Sequence, residues 1–138
     1  MKLVVVASRA CDPAQAAAFA VDELADLPEG SQVFLRKPTG KPARRFELAV
    51  AVAATKLGVT VRWWSPGPGG RKATFVRDVE MVAAADRVVA YFAENLEMEG
   101  GTGHVVEKAQ DQNKPCRAYA IVDGSLKWIG GHDSEDQA

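Results

Sequence analysis

The chain reads as an α/β protein built on one Rossmann-like, doubly wound, mainly parallel sheet of about five strands. Three observations predict this. Short apolar runs alternate with helix-period segments along the whole length. The runs are continuous in Val, Ile and Leu, as expected when helices cover both faces of a sheet. Each pair of runs leaves room for one helix, the spacing of βαβ units with right-handed crossovers. A length of 138 residues suits one domain with a real core. We expect that domain over residues 1–130, followed by a polar, acidic tail at 131–138.

The elements follow in order. Residues 2–7 (KLVVVA) form a buried first strand. Residues 12–25 form an alanine-rich amphipathic helix, with Asp12 as N-cap and Pro13 at the first helical position. A turn at 27–30 leads to a second strand at 31–36 (SQVFLR). Residues 37–41 make a loop. A second helix spans 42–57, and Gly58 is its C-terminal stop. The third strand is 59–64, followed by a proline- and glycine-rich turn at 65–70. Helix three is 74–84, strand four 87–92, helix four 103–112 and strand five 116–122. Residues 127–129 suggest a short extra strand. In a doubly wound sheet the ligand crevice lies at the carboxyl ends of the strands, where their order reverses. With strand order 3-2-1-4-5 that point falls between strands one and four.

Composition narrows the function classes. The hydrophobic fraction is 47%, the charged fraction 25% and the net charge −1. No overall field draws the chain to nucleic acid or to a membrane. No run approaches the ~18 apolar residues of a membrane span. The N-terminal apolar run is short enough to be a strand rather than a signal peptide, so a cytoplasmic location and no membrane partner are expected. Cys11 and Cys116 lie outside any CxxC or Cys/His metal spacing. They read as buried thiols, and neither a metal nor a cofactor is expected.

The most informative stretch is residues 77–109, RDVEMVAAADRVVAYFAENLEMEGGTGHVVEKA. A strand leads to Gly100, Gly101, Thr102 and Gly103, which open a helix bearing His104 and Glu107. Glycines let a backbone approach an anion, and free N–H groups and the helix dipole attract it. The turn therefore reads as a phosphate cradle for a nucleotide-type ligand. Thr102 suits an N-cap that also meets phosphate. Nine basic residues fall on the same edge: Arg9, Arg36, Lys37, Lys41, Arg44, Arg45, Arg71, Lys72 and Arg77. They are either an anion-binding crest or a solvated run. Glu94, Glu97 and Glu99 share the edge and can reach ribose hydroxyls or face water. Ser8 ends strand one as a small polar contact. Arg77 shares a helix stripe with Met81 and Ala84, so it reaches the crevice rim or pairs with a carboxylate such as Glu107. His104 either donates to phosphate or covers the turn. Of Trp63 and Trp64, one packs inward and the other is placed to stack on a base. The first turn, ASRACDP, lacks GxGxxG, so a dinucleotide reading is weak. No Ser/His/Asp or Cys/His nucleophile set is evident.

Two segments resemble the SLOG superfamily, which unites Lonely Guy (LOG) nucleotide hydrolases, DprA/SMF DNA-processing proteins and YspA/YpsA-like proteins. The first is Trp63-Trp64, Gly70-Arg71-Lys72-Ala73, Arg77-Asp78-x-Glu80-Met81 and Ala85-Asp86. It is similar to the YspA-like order of tryptophan, glycine-rich turn, RNxxM helix and AD dipeptide. The second, Gly100-Gly101-Thr102-Gly103-His104-Val105-Val106-Glu107, has the spacing of the LOG motif GGxGTxxE. Together they cover roughly residues 60–121 within the βαβ layout. The resemblance implies a nucleotide ligand and a homo-oligomer. For LOG-type cleavage of an N-glycosidic bond it assigns Arg77 and Glu107 as catalytic residues. This chain departs from the LOG pattern in three places. Asp78 stands where LOG has lysine, His104 where it has threonine, and Glu99 where it has proline. RKPTGKPARR also replaces the YspA-like glycine-rich turn after strand two.

Three functions are therefore weighed. The leading one is a binding module, a sensor or sequestering protein for a nucleotide or nucleotide-derived ligand. Its contacts would be Ser8, Arg9, Arg44, Arg45, Arg77, Gly100, Gly101, Thr102, Gly103 and His104. The second is a LOG-like N-glycosidase acting on nucleoside monophosphates through Arg77 and Glu107. The third is DprA-like binding of single-stranded nucleic acid, which needs a basic groove with stacking aromatics.

Overall fold

The computed structural model describes residues 1–37, 45–94 and 100–132. The elements are β1 (Lys2–Ala7), α1 (Pro13–Ala25), β2 (Gln32–Arg36), α2 (Arg45–Lys56), β3 (Thr60–Trp64), α3 (Gly70–Ala84), β4 (Arg87–Ala93), α4 (Gly100–Asp111), β5 (Cys116–Val122) and β6 (Ser125–His132). They form one sheet in the order β3-β2-β1-β4-β5-β6. Every neighbouring pair is parallel except β5 and β6. The sheet therefore has six strands rather than about five. The short strand expected at 127–129 is part of an eight-residue antiparallel edge strand. It follows β5 through Asp123 and Gly124, both at positive φ (49° and 77°), the backbone of a tight hairpin turn. It ends at His132, two residues beyond the limit of 130 expected for the domain.

Side chains alternate across the sheet, and each face has its own core. Leu3, Val5 and Ala7 of β1 pack with Val33, Leu35, Val89 and Tyr91 under α1 and α2. Val4 and Val6 face the other way, with Phe34, Val88, Ala90 and Phe92 under α3 and α4. β1 and the first six residues of β4 are buried apart from their first residues, which is why both read as unbroken apolar runs. Burying one Val or Leu side chain fully contributes roughly 1.5–3 kcal/mol.

Helix ends explain the boundaries. Asp12 accepts from the N–H groups of Ala14 and Gln15 at 2.9 and 3.2 Å, ahead of Pro13. α3 begins at Gly70, four residues before the expected 74, because Gly69 (φ 125°) and Gly70 (φ 63°) turn the chain directly into it. At its other end, Lys114 Nζ donates to the carbonyls of Ala85 and Ala83 at 2.8 and 3.3 Å. Asp86 then pairs reciprocally with Lys2, through backbone and side chain, and so anchors the start of β1. α4 begins at Gly100, three residues before the expected 103. The glycines thus form its first turn rather than a connection ahead of it. The expected start of α2 at 42 lies outside the described residues. Among the described residues, no helix is long and apolar enough to cross a membrane.

Candidate functional site

β1 lies between β2 and β4, and its two neighbours lead to helices on opposite faces. The order therefore reverses at the carboxyl end of β1, the position where open α/β sheets hold ligands. Ser8 emerges there. Its N–H donates to the Tyr91 carbonyl at 2.9 Å, and its Oγ accepts from the Ala10 N–H at 3.3 Å. The hydroxyl thus braces its own turn. Arg9, next in the chain, is exposed.

Arg36 joins this point to the first turn of α4. It ends β2, and its side chain is buried at 7% exposure. Its Nη2 donates to the Ala7 carbonyl at 3.3 Å and to Thr102 Oγ1 at 3.1 Å. Its Nη1 would lie 3.2 Å from a Cβ placed on Gly101. A side chain at 101 would therefore press on the end of the guanidinium, which must shift by a few tenths of an ångström. At Gly100 the constraint is different: φ is 72°, a conformation that side chains disfavour. Gly103 is buried within the helix. Thr102, also buried, accepts from Arg36 as part of the same cluster. A cation held beside a helix N-terminus opposes the helix dipole. An anion received between them would be favoured by both.

The second cluster centres on Asp78, which is wholly buried. Its Oδ1 accepts from Arg77 Nε at 3.1 Å, and its Oδ2 lies 3.2 Å from His104 Nδ1. A carboxylate has only acceptors, so Nδ1 is the imidazole nitrogen that carries the proton facing it. His104 Nε2 has no hydrogen-bond partner among the described residues. The ring packs on Phe75, with centroids 4.4 Å apart, and the Arg71 guanidinium lies 5.3 Å from the Phe75 ring centroid. Asp78 therefore orients His104. From the sequence it reads only as a negative charge spoiling a phosphate site. Its partner His104 lies 26 positions away, so nothing local in the sequence pairs them.

The other expected residues divide. Arg77 pairs with Asp78 rather than with Glu107. Glu107, expected to lean toward the crevice, is 64% exposed and lies 3.7 Å from Lys108 Nζ on its own helix. The basic crest also divides. Arg36 and Arg77 are buried, while Arg9, Lys37, Arg45, Arg71 and Lys72 are exposed. Arg44 and Lys41, like Glu97 and Glu99, lie outside the described residues. Glu94 is exposed at the end of β4. Trp64 packs on Phe34 with Arg62 over its ring at 4.1 Å, whereas Trp63 is 39% exposed. Arg36 was legible only as one of nine cations. Its position at the end of the strand beside the switch point was the available signal. Both cysteines are buried and outside any disulfide, and burial pushes the Cys116 thiol up to about 12. Among the described residues, no group of three or more His, Cys, Asp or Glu side chains could hold a metal ion. Comparison of the chain with protein-family models finds no match, and comparison with curated proteins finds none either.

Proposed function

We propose that this protein binds a phosphorylated, nucleotide-type ligand at the first turn of α4, and serves as a sensor or sequestering module for it. The observation that carries this reading is the Arg36 guanidinium held against Gly101 and Thr102 at the sheet's switch point. It combines three features that anions favour: a buried cation, a helix N-terminus and a backbone bare of side chains. His104 Nε2 supplies a polar contact beside them. The SLOG-like order of residues 60–121 points to the same class of ligand.

Binding is preferred to N-glycosidic cleavage because of Glu107. A carboxylate that acts at an anomeric carbon must be within reach of the substrate. Glu107 lies on an exposed face of α4 beside Lys108. The test is mass spectrometry of small molecules released when the purified protein is heat-denatured. A nucleotide or nucleotide-derived phosphate is expected in the supernatant. Protein that releases none, and that binds no nucleoside phosphate when challenged at millimolar concentration, would contradict the reading.

A further inference from the structure

Ser65, Gly67, Pro68, Gly69 and one flank of α3 line an open cavity of about 390 Å³, a volume typical of small-molecule sites. None of its lining residues belongs to β1, β4 or α4. Helical periodicity places Ala73, Val76, Arg77 and Glu80 on this flank, and Phe75 and Asp78 on the flank that meets His104. Arg77 lines the cavity although only 7% of the residue is exposed. Its Nε donates to Asp78, and neither Nη has a hydrogen-bond partner among the described residues. A guanidinium has five N–H donors, so the four on Nη1 and Nη2 are available to a ligand. Neither Nη is sealed from solvent, so a ligand in the cavity takes the place of water there. The cavity also receives the start of α3, where Gly69 provides no side-chain cap for the first-turn N–H groups. Lys72 adds a second cation, and Glu80 supplies a lone carboxylate one turn beyond Arg77.

We propose that this cavity is a second ligand site, for a small phosphate or carboxylate that also carries an amine or hydroxyl donor. The anionic group meets Arg77, Lys72 and the first turn of α3. The donor meets Glu80. Ala73 and Val76 form the apolar wall for the carbons between. The proposal is independent of the nucleotide reading, because it uses neither Arg36 nor residues 100–103.

The test is a ¹⁵N NMR titration with two probes, O-phosphoethanolamine and ethyl phosphate, which differ in the amine. The amides of residues 69–72 should shift saturably with both probes, in the wild type and in Gly101→Asp alike. Phosphoethanolamine should bind about two- to fivefold more tightly, and Glu80→Gln should erase that preference. Arg77→Gln should weaken both probes roughly tenfold or more. Should Arg77→Gln fail to fold, Ala73→Phe fills the cavity with every charge retained and should weaken both probes by at least about the same factor. The proposal falls if the amides of residues 69–72 do not shift, or if Ala73→Phe binds as the wild type does. It also falls if the shifts lie only at residues 100–103 and vanish in Gly101→Asp. A preference that survives Glu80→Gln overturns the assignment of the donor.

Discussion

Asp78 shows how one buried carboxylate decides the character of its surroundings. It accepts from Arg77 Nε and faces His104 Nδ1, with no exposure of its own. Replacing it with alanine leaves a buried guanidinium without its partner. Removing one member of a buried pair costs about 3–5 kcal/mol. Urea denaturation of Asp78→Ala should show a loss of that order. A loss below about 1 kcal/mol would mean that Arg77 finds solvent instead. The imidazole offers a finer readout. Long-range ¹H–¹⁵N spectra should show the His104 proton on Nδ1 in the wild type, and Asp78→Ala should abolish that preference. Gly100 gives a second prediction at this scale. At φ 72° with open space around its Cα, Gly100→Ala meets no clash, so the cost is conformational, about 1–2 kcal/mol. Single residues were the least legible part of the sequence. The glycines stand out by composition, but Gly100 and Gly101 serve different ends, a backbone angle and an approaching arginine. Only the three-dimensional path of β2 brings Arg36 to Gly101.

Elements were legible where their ends carry unambiguous chemistry. Asp12-Pro13 marks a helix start by side-chain capping and a pre-set φ, and α1 begins there. Asp12→Ala should therefore cost about 0.5–2 kcal/mol, measured by chemical denaturation. Ser is expected to restore most of it, since its hydroxyl accepts the same N–H groups. α3 and α4 begin earlier than their sequences suggest, and for one reason. Glycine is a poor residue in a helix interior, so Gly69, Gly70, Gly100 and Gly101 read as loop. At a helix start the penalty matters less, because positive φ at Gly70 and Gly100 is what turns the chain into the helix. β6 was hidden similarly. Gly130 and Gly131 interrupt an otherwise alternating strand, and the register shifts near Ala118 and Tyr119, opposite Gly130 and Trp128.

At the scale of the whole molecule, the alternation of apolar runs and helices sufficed for the sheet order from β3 to β5, because right-handed crossovers leave few alternatives. It also placed the reversal of strand order at the end of β1. The tightness of the same sheet has a consequence at high pH. Burial raises the Cys116 thiol from 9.0 to about 12. Burial, then Glu23, Tyr119 and Asp22, also raise the Tyr91 hydroxyl. Both groups keep their protons in the folded protein at a pH where the unfolded chain releases them. Stability is therefore unaffected by Cys116 below about pH 9 and is lost as pH climbs from there toward about 12. Thermal unfolding followed from pH 8 to 11 should show Tm falling, and Cys116→Ala should flatten the fall. A Tm as flat in the wild type as in the variant would mean that the thiol ionises freely in the fold.

The proposed binding of a nucleotide at α4 is tested most directly by calorimetry of wild type and Gly101→Asp with a nucleoside monophosphate and its parent nucleoside. Aspartate at 101 would set a carboxylate against Arg36 Nη1, where a Cβ would lie only 3.2 Å away, and would take the place of the phosphate. Wild type should bind the monophosphate and bind the nucleoside at least about tenfold more weakly, the worth of one charge-assisted phosphate contact. Gly101→Asp should fold normally and lose the monophosphate. Equal affinity of the wild type for monophosphate and nucleoside, or unchanged monophosphate binding in Gly101→Asp, would contradict a phosphate site at the first turn of α4.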